Sequence, residues 1–69
     1  MTQGERAVTE IEAATVLGLS VATLRAWRHR GRGPKFVRFG RAVRYLTSEL
    51  DDFVRRSTVT PAATTTQGV

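Results

Sequence analysis

The sequence predicts one small domain that is mainly α-helical and carries a single β-hairpin. One stretch begins with the helix-capping residue Thr9 and is followed by Gly18, and a second begins with Ser20 and is followed by Gly31. These two stretches predict helices. Residues 35–46 alternate between apolar and basic side chains, which is typical of strands. The chain has 69 residues, enough for one such domain and no second one.

The charge of the chain is concentrated in one stretch. Residues 20–46 carry eight basic side chains and no acidic one, whereas the rest of the chain carries three arginines and six acids. The aromatic residues Trp27, Phe36, Phe39 and Tyr45 lie among these cations. A field of one sign opposes the folding of a small domain unless a polyanion offsets it, so double-stranded DNA is the expected partner.

Composition argues against several other classes of function. The chain has no cysteine and only one histidine, His29, so we expect neither a disulfide nor a metal site, and no cofactor. No set of catalytic residues can be identified, and we expect no enzyme activity. The sequence has no apolar run of roughly 20 residues and no signal-peptide pattern, so we expect no membrane association and a cytoplasmic location.

The domain is predicted to span residues 9–56. Residues 1–8 are short and polar and are expected to form a flexible arm. Residues 57–69 are rich in threonine and alanine and have no aromatic residue, which predicts a disordered tail.

The first helix is predicted to begin with a capping box. Thr9 is followed three positions later by Glu12, and each side chain can bond the other's backbone N–H. Gly18 is expected to end the helix in a left-handed conformation. The spacing of Ile11, Ala14 and Leu17 predicts that these residues face the core.

The second helix is predicted to run from its N-cap Ser20 to about Arg30. Because only Gly18 and Leu19 separate it from the first helix, the two form a helix-turn-helix. Val21, Leu24 and Trp27 are expected on its inner side.

The opposite face of the second helix is a candidate for insertion into the major groove. Two alanines at its centre allow a close approach, and longer polar or basic side chains flank them. The alternative is an ordinary solvated face. The predicted major-groove residues are Ala22, Thr23, Arg25, Ala26, His29 and Arg30, and the predicted phosphate contacts are Ser20, Arg28, Arg32 and Lys35.

The stretches 35–39 and 42–46 are predicted to be two strands joined by Gly40 and Arg41. A two-residue loop with glycine first favours a type II′ turn. Alternation is interpreted as placing Val37 and Phe39 on one face of the first strand and Val43 and Tyr45 on one face of the second. Arg38 and Arg44 are then expected to share the other face. Phe36 does not fit this alternation and is expected to fold back on Trp27.

The tip of the hairpin is the second candidate for a DNA contact. Docked beside the helices, the hairpin would act as a wing whose Arg41 enters a minor groove, with Arg38 and Arg44 behind it. The alternative is a solvated hairpin tip.

A third helix is predicted over Glu49 to Arg56, capped by Thr47 or Ser48. Acids lie in its first turn and arginines in its last, as the helix dipole favours. Its apolar residues, Leu50, Phe53 and Val54, are expected to close the core over Ile11, Leu24 and Trp27.

Residues 12–20 (EAATVLGLS), 23–27 (TLRAW), the basic Gly40-Arg41 hairpin and residues 48–50 (SEL) resemble the excisionase-type, MerR-like winged helix-turn-helix domains. The resemblance covers about residues 8–56. It implies that the second helix lies in the major groove through Ala22, Thr23, Ala26 and His29, that Arg41 contacts the minor groove, and that Trp27 packs inside.

The same resemblance implies a role as an excisionase, also called a recombination directionality factor, in the cytoplasm of a bacterial host cell. Such proteins bind repeated sites cooperatively as copies side by side, bend DNA and direct an integrase of the tyrosine or serine type toward excision. The alternatives are a small transcription regulator that binds an operator and a protein-interaction adaptor that uses its basic face against acidic proteins.

Overall fold

The computed structural model describes residues 5–61, and the segments 1–4 and 62–69 lie outside this range. Six elements follow one another along the described chain: β1 (Ala7–Thr9), α1 (Glu10–Leu17), α2 (Val21–His29), β2 (Val37–Phe39), β3 (Ala42–Leu46) and α3 (Thr47–Ser57). The three helices and the β2–β3 hairpin are those of a winged helix-turn-helix, as the sequence predicts. We refer to this hairpin as the wing.

Both ends of the first helix and the start of the second form as predicted, and the second ends at His29, one residue before the predicted end. Thr9 Oγ1 accepts a hydrogen bond from Glu12 N–H at 3.1 Å, and Glu12 Oε1 accepts one from Thr9 N–H at 2.8 Å. Ser20 Oγ accepts from Thr23 N–H at 3.1 Å, which begins α2. Gly18 has a φ of 70° and ends α1, so the chain turns within three residues from one helix into the next.

A third strand, β1, extends the predicted hairpin into a sheet with the order β1-β3-β2. It pairs antiparallel with β3, Val8 opposite Tyr45, and Val8 is buried. The prediction of a flexible arm over residues 1–8 is therefore wrong for Ala7 and Val8, because Val8 provides a core side chain. Residues 1–4 of that arm and residues 62–69 of the predicted tail lie outside the described residues.

The core lies between α1, α2, α3 and one face of the sheet. Its buried members are Val8, Ala13, Ala14, Leu24, Tyr45 and Leu50, and half-buried Leu17, Val21, Trp27, Phe36 and Val43 pack around them. The predicted core role of Ile11 is wrong, since Ile11 is 66 % exposed and Ala13 is buried in its place. The small alanines allow α1 to pack closely on the core.

The third helix begins two residues earlier than predicted, at Thr47. Neither Thr47 nor Ser48 caps it, because their hydroxyl groups bind the segment before β1: Thr47 Oγ1 accepts from Arg6 N–H, and Ser48 Oγ donates to Glu5. The helix ends at Ser57, one residue later than predicted. Leu50 is buried as expected, but Val54 is 49 % exposed, so its predicted inward position is wrong.

The faces of the wing differ from those predicted. The two-residue loop sets Phe39 opposite Ala42 and Arg38 opposite Val43, and directly opposite residues share a face. Val43 and buried Tyr45 therefore share the inner face with Arg38, whereas Phe39, 60 % exposed, lies on the outer face with Val37 and Arg44. The turn itself is as predicted, since Gly40 has a positive φ and Arg41 does not, as a type II′ turn requires.

Phe36, which directly precedes β2, is half-buried and packs against the core. Its ring centroid lies 6.1 Å from that of Tyr45, and not on Trp27 as expected. Trp27 instead packs on Phe53, with ring centroids 5.6 Å apart, and against Gly33, where a Cβ would lie 2.7 Å from Trp27 Cε3. The predicted inner position of Trp27 is thus confirmed.

Candidate nucleic-acid interface

Helix α2, the wing and the start of α1 enclose one groove, which we call the basic groove. Its walls come from elements far apart in the sequence and bring the helix arginines next to those of the wing. The lining residues are Thr9, Glu10, Ile11, Arg25, Arg28, Arg38, Arg41, Ala42, Val43 and Arg44. Five of them are arginines and one is an acid. The groove therefore attracts a polyanion and repels positively charged molecules.

Glu10 is the acid in this groove, and it pairs with two arginines of α2. Arg25 Nη2 lies 2.6 Å from Glu10 Oε2, and Arg25 Nε donates to the same carboxylate at 3.2 Å. Arg28 Nη2 donates to Glu10 Oε1 at 3.1 Å. The hydrogen bond from Arg25 lowers the pKa of Glu10 from its ordinary value, desolvation opposes that shift, and Arg28 adds to it.

The two arginines paired with Glu10 differ in exposure. The side chain of Arg25 is 64 % exposed, and that of Arg28 only 15 %. Arg28 also donates from Nη1 to the hydroxyl of Tyr45 at 3.0 Å. Burial opposes the charge on Arg28, but its bonds to Tyr45 and Glu10 outweigh that cost and raise its pKa.

An aromatic ring fixes the inner end of this network. The guanidinium carbons of Arg28 and Arg38 each lie 5.7 Å from the centroid of the Phe36 ring. Cations at this distance from an aromatic face are attracted to it. Phe36 therefore joins an arginine of α2 to an arginine of β2, and Arg25, Arg28, Arg38 and His29 line a cleft where helix and wing meet.

The predicted major-groove residues lie along the outer side of α2, with differing exposure. Ala22, Arg25, His29 and Arg30 are exposed, and Thr23 and Ala26 are half-buried. The hydroxyl of Thr23 lies 3.0 Å from that of Ser20, so these two side chains already bond each other at the start of the helix.

The predicted phosphate contacts do not form one cluster. Arg32 and Lys35 are exposed and line a shallow pocket in the linker between α2 and β2, together with Phe36. Arg28 belongs to the inner network, and Ser20 caps α2.

The three predicted wing residues all line the basic groove. Arg41 is exposed at the hairpin tip, and Arg38 is exposed on the inner face. Arg44 is half-buried on the outer face and donates from Nη1 to the carbonyl of Val43 at 2.9 Å, so the predicted shared face of Arg38 and Arg44 is wrong.

Glu10 was not identified from the sequence. An acid in the first turn of a helix has a local explanation in the helix dipole, and nothing local indicates partners 15 and 18 residues away. The sequence offers one indication: the side chain of Glu12 is used by the capping box, whereas that of Glu10 has no hydrogen-bond partner nearby in the sequence.

The family model of a helix-turn-helix domain matches residues 8–58 of the chain. The chain belongs to this family. The family includes small excisionase-like DNA-binding proteins, and its helix-turn-helix implies binding to double-stranded DNA. No curated protein and no solved structure matches the chain significantly.

Residues 5–61 contain neither a membrane-spanning helix nor a metal-binding cluster. Within that range no helix is both long and apolar enough to cross a membrane. The same residues hold no group of three or more histidine or acidic side chains arranged to bind a metal ion.

Proposed function

We propose that this helix-turn-helix protein is a DNA-bending factor of the excisionase type. In this role it binds repeated sites cooperatively and promotes excision by an integrase of the tyrosine or serine class. It acts as a binding protein and not as an enzyme. The observation that carries the proposal is the basic groove, in which arginines of α2 and of the wing line one surface.

The composition of α2 favours contacts to the DNA backbone and bending of the duplex, and not direct readout of many bases. Ala22 and Ala26, on its outer side, have no polar side-chain atoms that could bond base edges. The wing carries Arg41 at its tip, suited to a narrow minor groove whose potential attracts arginine. Exposed cations of the wing and of the linker between α2 and β2 contact phosphates and fix the duplex, and its deformability then contributes to site choice.

The small size of the domain supports the proposal that several copies bind side by side on DNA. A single module of this kind buries roughly 600–1,000 Å² of protein surface on DNA, which limits the affinity of one copy. Several copies on adjacent repeats would together supply a useful affinity. We propose side-by-side binding on this ground.

The experiment uses attachment-site DNA with a candidate integrase of either class. Mobility-shift assays should give stepwise, cooperative complexes, and circularly permuted fragments should report a bend. Excision should depend on the protein. One isolated site on unbent DNA, with excision unaffected, would contradict the excisionase proposal.

A second candidate is a transcription regulator that binds an operator. The exposed guanidinium of Arg25 at the outer side of α2 supports it, since arginine is well suited to read guanine. Repression of a reporter promoter by the protein, with no effect on recombination, would favour this candidate over the first.

A further inference from the structure

The acid in the basic groove is the feature that DNA binding alone does not explain. Glu10 lies among five arginines, where a carboxylate repels phosphate. Its side chain is only 20 % exposed and is bonded to two guanidinium groups. A group held in this way has a defined position, which a solvated surface acid does not have.

Arg28 holds the carboxylate from the inner side. It bonds Glu10 Oε1 and the hydroxyl of Tyr45, a residue with no exposed surface, and it lies against the ring of Phe36. These contacts connect Glu10 to the core through the second helix and the sheet. The carboxylate is therefore a fixed point at the edge of the groove.

Arg25 is bonded to that fixed point along one edge of its guanidinium group. Nε and Nη2 both donate to the Glu10 carboxylate, at 3.2 Å and 2.6 Å to Oε2. A guanidinium has five N–H donors in a rigid plane, and this side-on pair uses two of them. The end-on pair, one N–H of Nη1 and the second N–H of Nη2, remains available, and the side chain is 64 % exposed.

The remaining pair of donors matches guanine. The major-groove edge of guanine presents two acceptors, N7 and O6, and bidentate bonding by arginine is the commonest specific contact to it. A phosphate offers the same arginine a stronger attraction when the arginine is free to move. The carboxylate reduces that attraction, because its charge offsets the charge of Arg25 and opposes the approach of phosphate.

We propose that Glu10 is a positioning residue that makes Arg25 a reader of guanine in the major groove. Glu10 holds the side edge of the guanidinium, directs the end edge to N7 and O6, and lowers the contribution of Arg25 to binding of arbitrary sequence. The inference rests on the proposed DNA binding and does not require a role in excision.

The test starts from a duplex selected by the wild-type protein from a random double-stranded library. Each guanine of that duplex is replaced in turn by 7-deazaguanine, which lacks the N7 acceptor. Binding is then measured for the wild type, Glu10→Gln, Glu10→Asp, Arg25→Lys and Asp51→Asn. Asp51→Asn is the matched control, since it removes one negative charge at an exposed position that does not line the groove.

At one guanine, the replacement should weaken binding by the wild type and by Asp51→Asn by roughly tenfold, within the range of a bidentate arginine–guanine pair. It should weaken binding by Arg25→Lys and Glu10→Gln less than about threefold, because lysine has no fork and the neutral amide of glutamine holds the guanidinium more weakly than the carboxylate does. Glu10→Asp keeps the charge but withdraws the carboxylate from the fork, so it should also lose discrimination.

Duplex poly(dA-dT), which contains no guanine, measures binding to arbitrary sequence. Glu10→Gln should bind it several times more tightly than the wild type and more tightly than Asp51→Asn. Circular dichroism of each variant checks that it is folded. If Glu10→Gln is unfolded, Glu10→Asp takes its place in the 7-deazaguanine measurement.

The proposal is overturned if the folded glutamate variants keep the full tenfold effect of 7-deazaguanine, or if no guanine of the selected duplex shows one. Failure of DNA binding itself would appear as the absence of any duplex bound by the wild type. Failure of the excisionase role would appear in the excision assay alone, with the guanine effect intact.

Discussion

The inner and outer parts of the basic groove use the same residue type for different purposes. Arg28, the inner arginine, is 15 % exposed and bonds a carboxylate and a phenol within the domain. Arg25, one helical turn earlier, is 64 % exposed and shares only the carboxylate. The comparison indicates that the inner arginine holds helix and wing together, whereas the outer arginines remain available to DNA.

The largest effect is expected from Arg28→Met at the inner position. Methionine keeps the packing against Phe36 but leaves the carboxylate of Glu10 and the hydroxyl of Tyr45 without this partner. The free energy of unfolding should fall by about 2 kcal/mol. Urea unfolding measures it, with Arg30→Met, at an exposed position of the same region, as control. Equal free energies of unfolding for the two variants would contradict the claim that Arg28 stabilises the domain more than an exposed arginine does.

A smaller effect is expected from Tyr45→Phe. This change removes the hydroxyl that accepts from Arg28 and leaves the buried ring in place. The free energy of unfolding should fall by about 1 kcal/mol. In the Arg28→Met background the same change should cost much less, because the partner is already absent, and a double-mutant cycle tests this. Additive costs would contradict the proposed contact.

The stability of the domain should also decrease in acid. The pKa of Glu10 is lowered, chiefly by the hydrogen bond from Arg25, and that of Glu12 by the backbone N–H of Thr9. Groups with a lowered pKa contribute stability that is present above their ordinary pKa of 4.5 and is lost as the pH falls through their folded values. Thermal unfolding between pH 7 and pH 2 measures the loss, and Glu10→Gln should show less of it.

The smallest effect on stability is expected from Arg41→Gln at the wing tip. Arg41 is exposed, and its change should leave the midpoint of urea unfolding within error of the wild type. Its effect should appear in DNA affinity instead. A large loss of stability would indicate that the tip is structural and not a DNA contact.

Features set by neighbours in the sequence could be predicted, and those set by distant partners could not. The Thr9–Glu12 capping box, the Ser20 cap, the Gly18 stop and the hairpin turn each depend on a few adjacent residues. Strand β1 has three residues and pairs with β3, far along the chain, so its pattern is too short to identify. The partners of Glu10 depend on how α1 crosses α2.

The faces of the wing were predictable, although the prediction was wrong. Once Gly40 and Arg41 form a two-residue loop, Phe39 must lie opposite Ala42, and Arg38 opposite Val43. This register places Arg38 on the face of Val43 and Tyr45, and Arg44 on the face of Val37 and Phe39. Alternation within each strand gave two faces correctly, but only the loop length relates the faces of one strand to those of the other.

The salt dependence of DNA binding tests the central claim most directly. If about six cations of the basic groove and its surroundings neutralise phosphates, the logarithm of the association constant should fall against log salt with a slope of about −5. Arg41→Gln should reduce the magnitude of that slope by about 1. A slope near zero for the wild type would contradict the claim that this groove binds the DNA backbone.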